Sequence, residues 1–311
     1  MLTLDDTGID PAILQRYIEE QIYTLPGADR HREQFTILLT GSRAFGDWKP
    51  VSDVDLDVLC PREVYQSVLP AAYAQGLIKT PATNWFPLPR EGWECYQGAE
   101  CGRPHFCLTP LEQVKRQFAE FEDVPLWIWT NARVIADPGG QFAQIRGTFA
   151  GYPREELIRK IKYHWLLYDY AVVEIYPHSH HADDELLPAM TALTTAINEL
   201  LKLFYLLDGG PFPYQEKLLP LADRTTLGRQ FAPFFRHLIG LMAGTESPEL
   251  PLWQRLDRAG FMLADYDAPE CKRMEDACAE AMVAAGLDPA WVAADFDNID
   301  QLLWGELGPV P

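Results

Sequence analysis

Around Gly151-Tyr152-Pro153 the spacing of apolar residues changes, and that change restricts the chain to a two-part architecture. Downstream, Ile158, Ile161, Trp165, Tyr168, Val172 and Ile175 recur in steps of three and four, as do Leu186, Met190, Leu193, Ile197, Leu200 and Phe204. Such spacing puts side chains on one face only if the backbone is helical. The second run stops at Asp208-Gly209-Gly210-Pro211, and further helices are expected around 226–243 and 268–285. Upstream the periods are mixed. Pro11 to Leu25 reads as an amphipathic helix carrying Ile13, Leu14, Tyr17, Ile18 and Ile22, and Phe35 to Thr40 as a short apolar strand ending at Gly41-Ser42. Val54, Leu56 and Val58 alternate with Asp53, Asp55 and Asp57, a period of two that predicts a second strand with three carboxylates on one face. Pro61 to Gln75 and Pro110 to Phe121 read as helices. Trp85 to Leu88, Glu94 to Gln97 and His105 to Leu108 read as short strands between Gly and Pro breaks. The expected fold is α+β, a domain of mixed helix and strand over residues 1–150 followed by an all-helical domain over 151–311.

Charge narrows the choice of partners. With 26 basic against 45 acidic residues the net charge is −19, a field that opposes duplex nucleic acid and anionic membranes. No apolar run is long enough to span a bilayer, and the acidic start MLTLDD is unlike a secretory signal, so a cytoplasmic protein is expected. Six cysteines, Cys60, Cys95, Cys101, Cys107, Cys271 and Cys278, form no Cys-x-x-Cys pair, which leaves buried thiols as the expectation.

The stretch from Leu39 to Leu56 carries the chemistry. A Gly41-Ser42 turn between a strand and a short helix exposes backbone N–H groups of the kind that hold phosphate, with Gly41 letting the backbone approach and Ser42 adding a hydroxyl. Ten residues separate Ser42 from Asp53. Asp53 and Asp55, two apart on a strand, have Cα atoms about 6.5 to 7 Å apart on the same face, so their carboxylates can converge on hard cations such as Mg²⁺ or Mn²⁺. Phosphate donors and paired acids together match an in-line phosphoryl displacement clamped by cations.

These residues resemble the nucleotidyltransferase superfamily that includes DNA polymerase beta, whose signature is hydrophobic-Gly-[Gly/Ser], a comparable spacer, then Asp-hydrophobic-[Asp/Glu]-hydrophobic. Thr40, Gly41, Ser42 and then Asp53, Val54, Asp55, Leu56 match it, with Thr40 off pattern. The GSRAFG and SDVDLDV pieces look like those of the aminoglycoside and minimal nucleotidyltransferases and their uncharacterised relatives. The resemblance implies a mixed-sheet nucleotidyltransferase domain with flanking helices in the first part of the chain. Its activity would be transfer of a nucleoside monophosphate from a triphosphate, with ATP expected, to a hydroxyl of a small molecule or protein, releasing pyrophosphate. It implies that Asp53 and Asp55 hold Mg²⁺ or Mn²⁺, that Gly41 and Ser42 hold phosphates, and that Arg43 and Lys217 add phosphate contacts. The family also supplies a third carboxylate from a later strand. The corresponding segment, Cys101 to Leu108, has none, which leaves Glu94, Glu100 or His105 for that place. Two alternatives therefore stand beside the enzyme: a degenerate nucleotide-binding regulatory protein, and an antitoxin-like protein that nucleotidylates a partner.

Two further features have ordinary explanations. Pro177 to Glu185 gathers three histidines and three acids, as a polar connection into an acidic helix start would. Trp48 and Trp85 are the tryptophans nearest the motif in sequence and could stack a base, though most aromatic residues fill cores.

Overall fold

The computed structural model describes residues 4, 6–86, 104–179, 186–265, 268–303, 305 and 307. Within it the chain divides into two compact units, 1–150 and 151–311. The fold is α+β, with all the described strands in the first unit and helices alone in the second.

The first unit opens with α1 (Pro11–Tyr17), capped by Asp10 on the Ala12 N–H. Its five strands are β1 (Thr36–Thr40), β2 (Val54–Cys60), β3 (Trp85–Phe86), β4 (Pro104–Pro110) and β5 (Arg133–Ala136), arranged in the order β3-β4-β2-β1-β5. The sheet is mixed: β2 and β4 are parallel, and the other neighbours are antiparallel. A parallel pair needs a long crossover, and α3 (Arg62–Ala74) lies within the one from β2 to β4. β1 is buried along its whole length, as a central strand covered on both faces must be. The helices α2 (Gly41–Phe45), α4 (Leu111–Ala119), α5 (Asp123–Asn131) and α6 (Gln141–Gly147) complete the unit.

Most of the expected elements are present, with instructive differences. β2 begins at Val54, so Asp53 lies just before the strand rather than on it. β5 carries no two-fold apolar pattern because all four of its residues are only half-buried at the sheet edge. The expected strand at Glu94 to Gln97 lies outside the described residues, as do His180, His181 and the three acids of the Pro177–Glu185 cluster.

In the second unit α7 (Arg154–Ser179) packs along α8 (Leu186–Leu207). The short α9 (Gln215–Leu218) is followed by α10 (Thr226–Ala243), α11 (Leu252–Ala264) and α12 (Pro269–Ala284), then two small helices, α13 (Pro289–Ala294) and α14 (Ile299–Leu303). Leu193, Leu200, Leu203, Phe231, Phe235, Leu256 and Met274 form a core with no solvent exposure. Cys271 and Cys278 lie in the same core, and burial pushes the Cys271 thiol up to about 12. The Cys60 thiol, buried in the first unit, is likewise raised to about 12. No described helix is long and apolar enough to cross a membrane.

The helical core also encloses charge. Glu199 on α8 is buried, with Oε2 at 2.5 Å from His164 Nδ1 and Oε1 accepting from Lys202 Nζ at 2.6 Å. One helical turn before His164, Lys160 has no exposed surface; its ammonium pairs with Glu156 at 3.5 Å and lies over the Tyr152 ring. Burial works against the Glu199 anion. The hydrogen bond and charge of His164, with the charge of Lys202, outweigh burial and hold the Glu199 carboxyl below its ordinary value. A carboxyl lowered in the fold contributes stability above its unfolded pKa and loses it as pH falls through the folded value. Glu199→Gln is therefore expected to destabilise the protein by about 1–3 kcal/mol at neutral pH. The penalty should shrink on acidification below about pH 4.5, as read by denaturant unfolding at several pH values.

Candidate functional site

The site is built where β1 turns into α2. The chain leaves β1 at Thr40 in extended conformation and enters α2 at Gly41 with φ +63°. That left-handed conformation costs a residue with a Cβ about 1–2 kcal/mol. Space is the second constraint: a Cβ on Gly41 would fall 1.8 Å from Oδ2 of Asp55. Only glycine lets the turn lie against this carboxylate. Ser42 follows in the first turn of α2, half-buried, where helix N–H groups have no partner within the helix.

Sheet register brings the other groups to the same place. Asp55 lies opposite Thr40 on β1 and beside His105 on β4. His105 Nε2 is 2.9 Å from Asp55 Oδ1, and both side chains keep access to solvent, 21% and 33% exposed. Asp53, just before β2, is exposed. Asp57, one step further in, accepts a hydrogen bond from Thr40 Oγ1 at 2.9 Å. Burial pushes its carboxyl up to about 6, against the Thr40 hydrogen bond and with the help of the Asp55 charge. The three acids thus differ in environment, from exposed Asp53 before the strand through half-buried Asp55 to Asp57, which is engaged internally. Trp85, 44% exposed on edge strand β3, borders the site with its ring centroid 5.7 Å from that of His105.

Arg43 requires a correction. The expected phosphate contact is overturned by its burial: the side chain is 1% exposed and turned into the protein. Its Nε and Nη2 donate to the Ser52 carbonyl at 3.1 and 2.9 Å, and Nη1 donates to the Thr7 carbonyl at 2.7 Å. The guanidinium lies 4.8 Å from the centre of the Trp48 ring, and Trp48 in turn donates to the Asp6 carbonyl. A planar guanidinium with fixed donors suits such a multi-carbonyl clamp. Arg43 thereby fastens α2 to the residue before Asp53. Arg133 on β5 adds a second clamp, donating to the Ala44 carbonyl at 3.2 Å and to both carboxylate oxygens of Asp6.

Lys217 is a half-buried residue of α9 in the second unit. Glu94 and Glu100 lie outside the described residues. Among the described residues no three His, Cys, Asp or Glu side chains form a ready metal cage. The neighbour of Asp55 that the sequence left open is His105. Its strand was legible, but its register against Asp55 comes from a parallel pairing that no local pattern encodes.

Residues 118–217 match the family model described as "Domain of unknown function (DUF4037)", a span that leaves out Gly41 to Asp57. No curated protein matches the chain. Among solved structures, the chain is similar to a nucleotidyltransferase-like protein from Exiguobacterium sibiricum 255-15, with 12% identity and a TM-score of 0.42 over 88% of this chain and 78% of that one.

The packing of Gly41 on Asp55 gives a direct test. Gly41→Ala is expected to lower stability by more than the roughly 1–2 kcal/mol of a left-handed residue alone, because the new methyl displaces the carboxylate. In an Asp55→Ala background the excess should largely vanish in a double-mutant cycle. An equal penalty in both backgrounds would show that backbone conformation is the whole cost.

Proposed function

We propose that this chain is a metal-dependent nucleotidyltransferase that moves a nucleoside monophosphate from a triphosphate to a hydroxyl of a small molecule or protein. The observation that carries the reading is the contact of Gly41 with the Asp55 carboxylate, which joins a phosphate-type turn and a metal-type acid in one solvent-accessible place.

The residues present fit a hard divalent cation. Asp55 is an accessible carboxylate beside a second donor, and Asp53 is exposed at the start of the same strand. Mg²⁺ is ordinarily held by one or two carboxylates together with substrate phosphates, so a full protein cage is not required. In this reading Asp53 and Asp55 hold Mg²⁺ or Mn²⁺, which when bound neutralises charge developing on the phosphates. The N–H groups of Gly41 and Ser42, with the Ser42 hydroxyl, hold phosphate oxygens. Thr40 and Arg43 act through others: Thr40 engages Asp57, and Arg43 holds the connection that ends at Asp53. The acceptor oxygen forms a bond to the α-phosphorus as the bond from that phosphorus to the pyrophosphate oxygen breaks. Pyrophosphate leaves and the hydroxyl proton is released. The acidic balance of the chain favours a cationic acceptor.

A second reading has one observation in its favour. The residue beside Asp55 on the neighbouring strand is His105 and not a carboxylate, which suits a regulatory protein that binds nucleotide without turnover. Calorimetric titration with ATP and Mg²⁺, run beside a pyrophosphate-release assay over a panel of hydroxyl acceptors, separates the two. The transferase reading expects release that falls at least 100-fold in Asp53→Asn and Asp55→Asn while the fold is kept. Binding without release across the panel supports the regulatory protein, and full activity in both variants overturns the roles given to the acids.

A further inference from the structure

Resting on the nucleotidyltransferase reading, we infer that His105 is a direct metal ligand, so that the site is a carboxylate-imidazole site selecting a Mn²⁺-type cation over Mg²⁺. The argument begins with register. Asp55 and His105 are paired on adjacent parallel strands, so their side chains leave the same face of the sheet side by side. The separation of Asp55 Oδ1 and His105 Nε2 is 2.9 Å. A six-coordinate cation with bonds of about 2.1 Å has neighbouring ligands about 3.0 Å apart, so one cation can take both atoms with little movement. The ring is also bordered: Trp85 stands beside it with ring centroids 5.7 Å apart, and Asp55 lies at its Nε2.

The chemistry then sets the preference. Mg²⁺ is a hard ion that favours oxygen donors and gives up water reluctantly. Imidazole suits the later first-row divalent ions, and affinity for mixed nitrogen and oxygen sites rises along that series. Exchanging a carboxylate for a neutral ring also removes one negative charge from the site. Loss of the charge weakens both ions alike, whereas the nitrogen donor weakens Mg²⁺ more than Mn²⁺, which keeps its affinity for carboxylates while accepting nitrogen.

Electron-spin-echo spectroscopy of Mn²⁺ tests the inference without reliance on turnover. Mn²⁺ is added to the full-length protein, alone and with a non-hydrolysable ATP analogue, and nitrogen-14 modulation from a coordinated ring is read at the bound ion. The expected result is clear nitrogen modulation, absent in His105→Ala, with Mn²⁺ affinity about tenfold lower in that variant. His105→Asp should also lose the modulation while moving the ratio of Mg²⁺ to Mn²⁺ affinity toward Mg²⁺. Bound Mn²⁺ with no nitrogen modulation in the wild type, or modulation that persists in His105→Ala, overturns the ligand assignment and leaves the transferase reading standing. Failure of Mn²⁺ to bind even with the analogue present overturns the transferase reading, and the ligand assignment with it.

Discussion

The candidate site depends on a glycine pressed against a carboxylate. With the Cα of Gly41 packed on Asp55, the turn out of β1 and the acid on β2 share a space that no larger residue could leave open. The backbone conformation there is left-handed, so one residue meets a conformational and a steric demand at once. Everything proposed for the site, from phosphate donors to cation ligands, presupposes that contact. It also explains why the three acids of β2 and its approach have separate environments. Asp55 is at the level of the turn, Asp53 lies before the strand in solvent, and Asp57 is drawn inward to Thr40.

Two arginines supply the stiffness around that contact. Arg43, within α2, donates to the carbonyls of Thr7 and Ser52, and Arg133 on β5 donates to the Ala44 carbonyl of the same helix. A five-residue helix has little stability of its own, so its position has to be set by such external bonds. Arg43 is the more informative of the two because it stands next to Ser42, where a charged side chain invites assignment as a phosphate ligand. Its guanidinium is instead a brace between Thr7, Ser52 and Trp48. Buried cations of this kind are tolerated when several oriented acceptors replace water, and here the acceptors are main-chain oxygens.

The helical unit is built on another principle. α7 and α8 bury long apolar stripes, and the pattern of every third or fourth residue made them legible from the start. Within that apolar packing sit Lys160, His164 and Glu199, whose charges are compensated locally. Burial of an ion is costly unless its partners are held in good geometry. The carboxylates and ammonium groups lie three or four residues apart on one helix or on the facing one, so the helices themselves supply that geometry.

How much could be read in advance follows from the range of the interactions involved. Local patterns determined the α+β first part, the helical second part, the strand and turn at Thr36–Ser42 and the acids on one face of β2, because each rests on spacing within a few residues. Pairing between strands is not local. It took the folded sheet to place His105 against Asp55, to add β5 at the edge, and to set Asp57 under Thr40. The inward turn of Arg43 is of the same kind, since its acceptors at Thr7 and Ser52 come from separate parts of the chain that meet only after folding. Residue type and spacing state what a side chain can do, whereas its partner depends on which distant segment the hydrophobic core brings beside it.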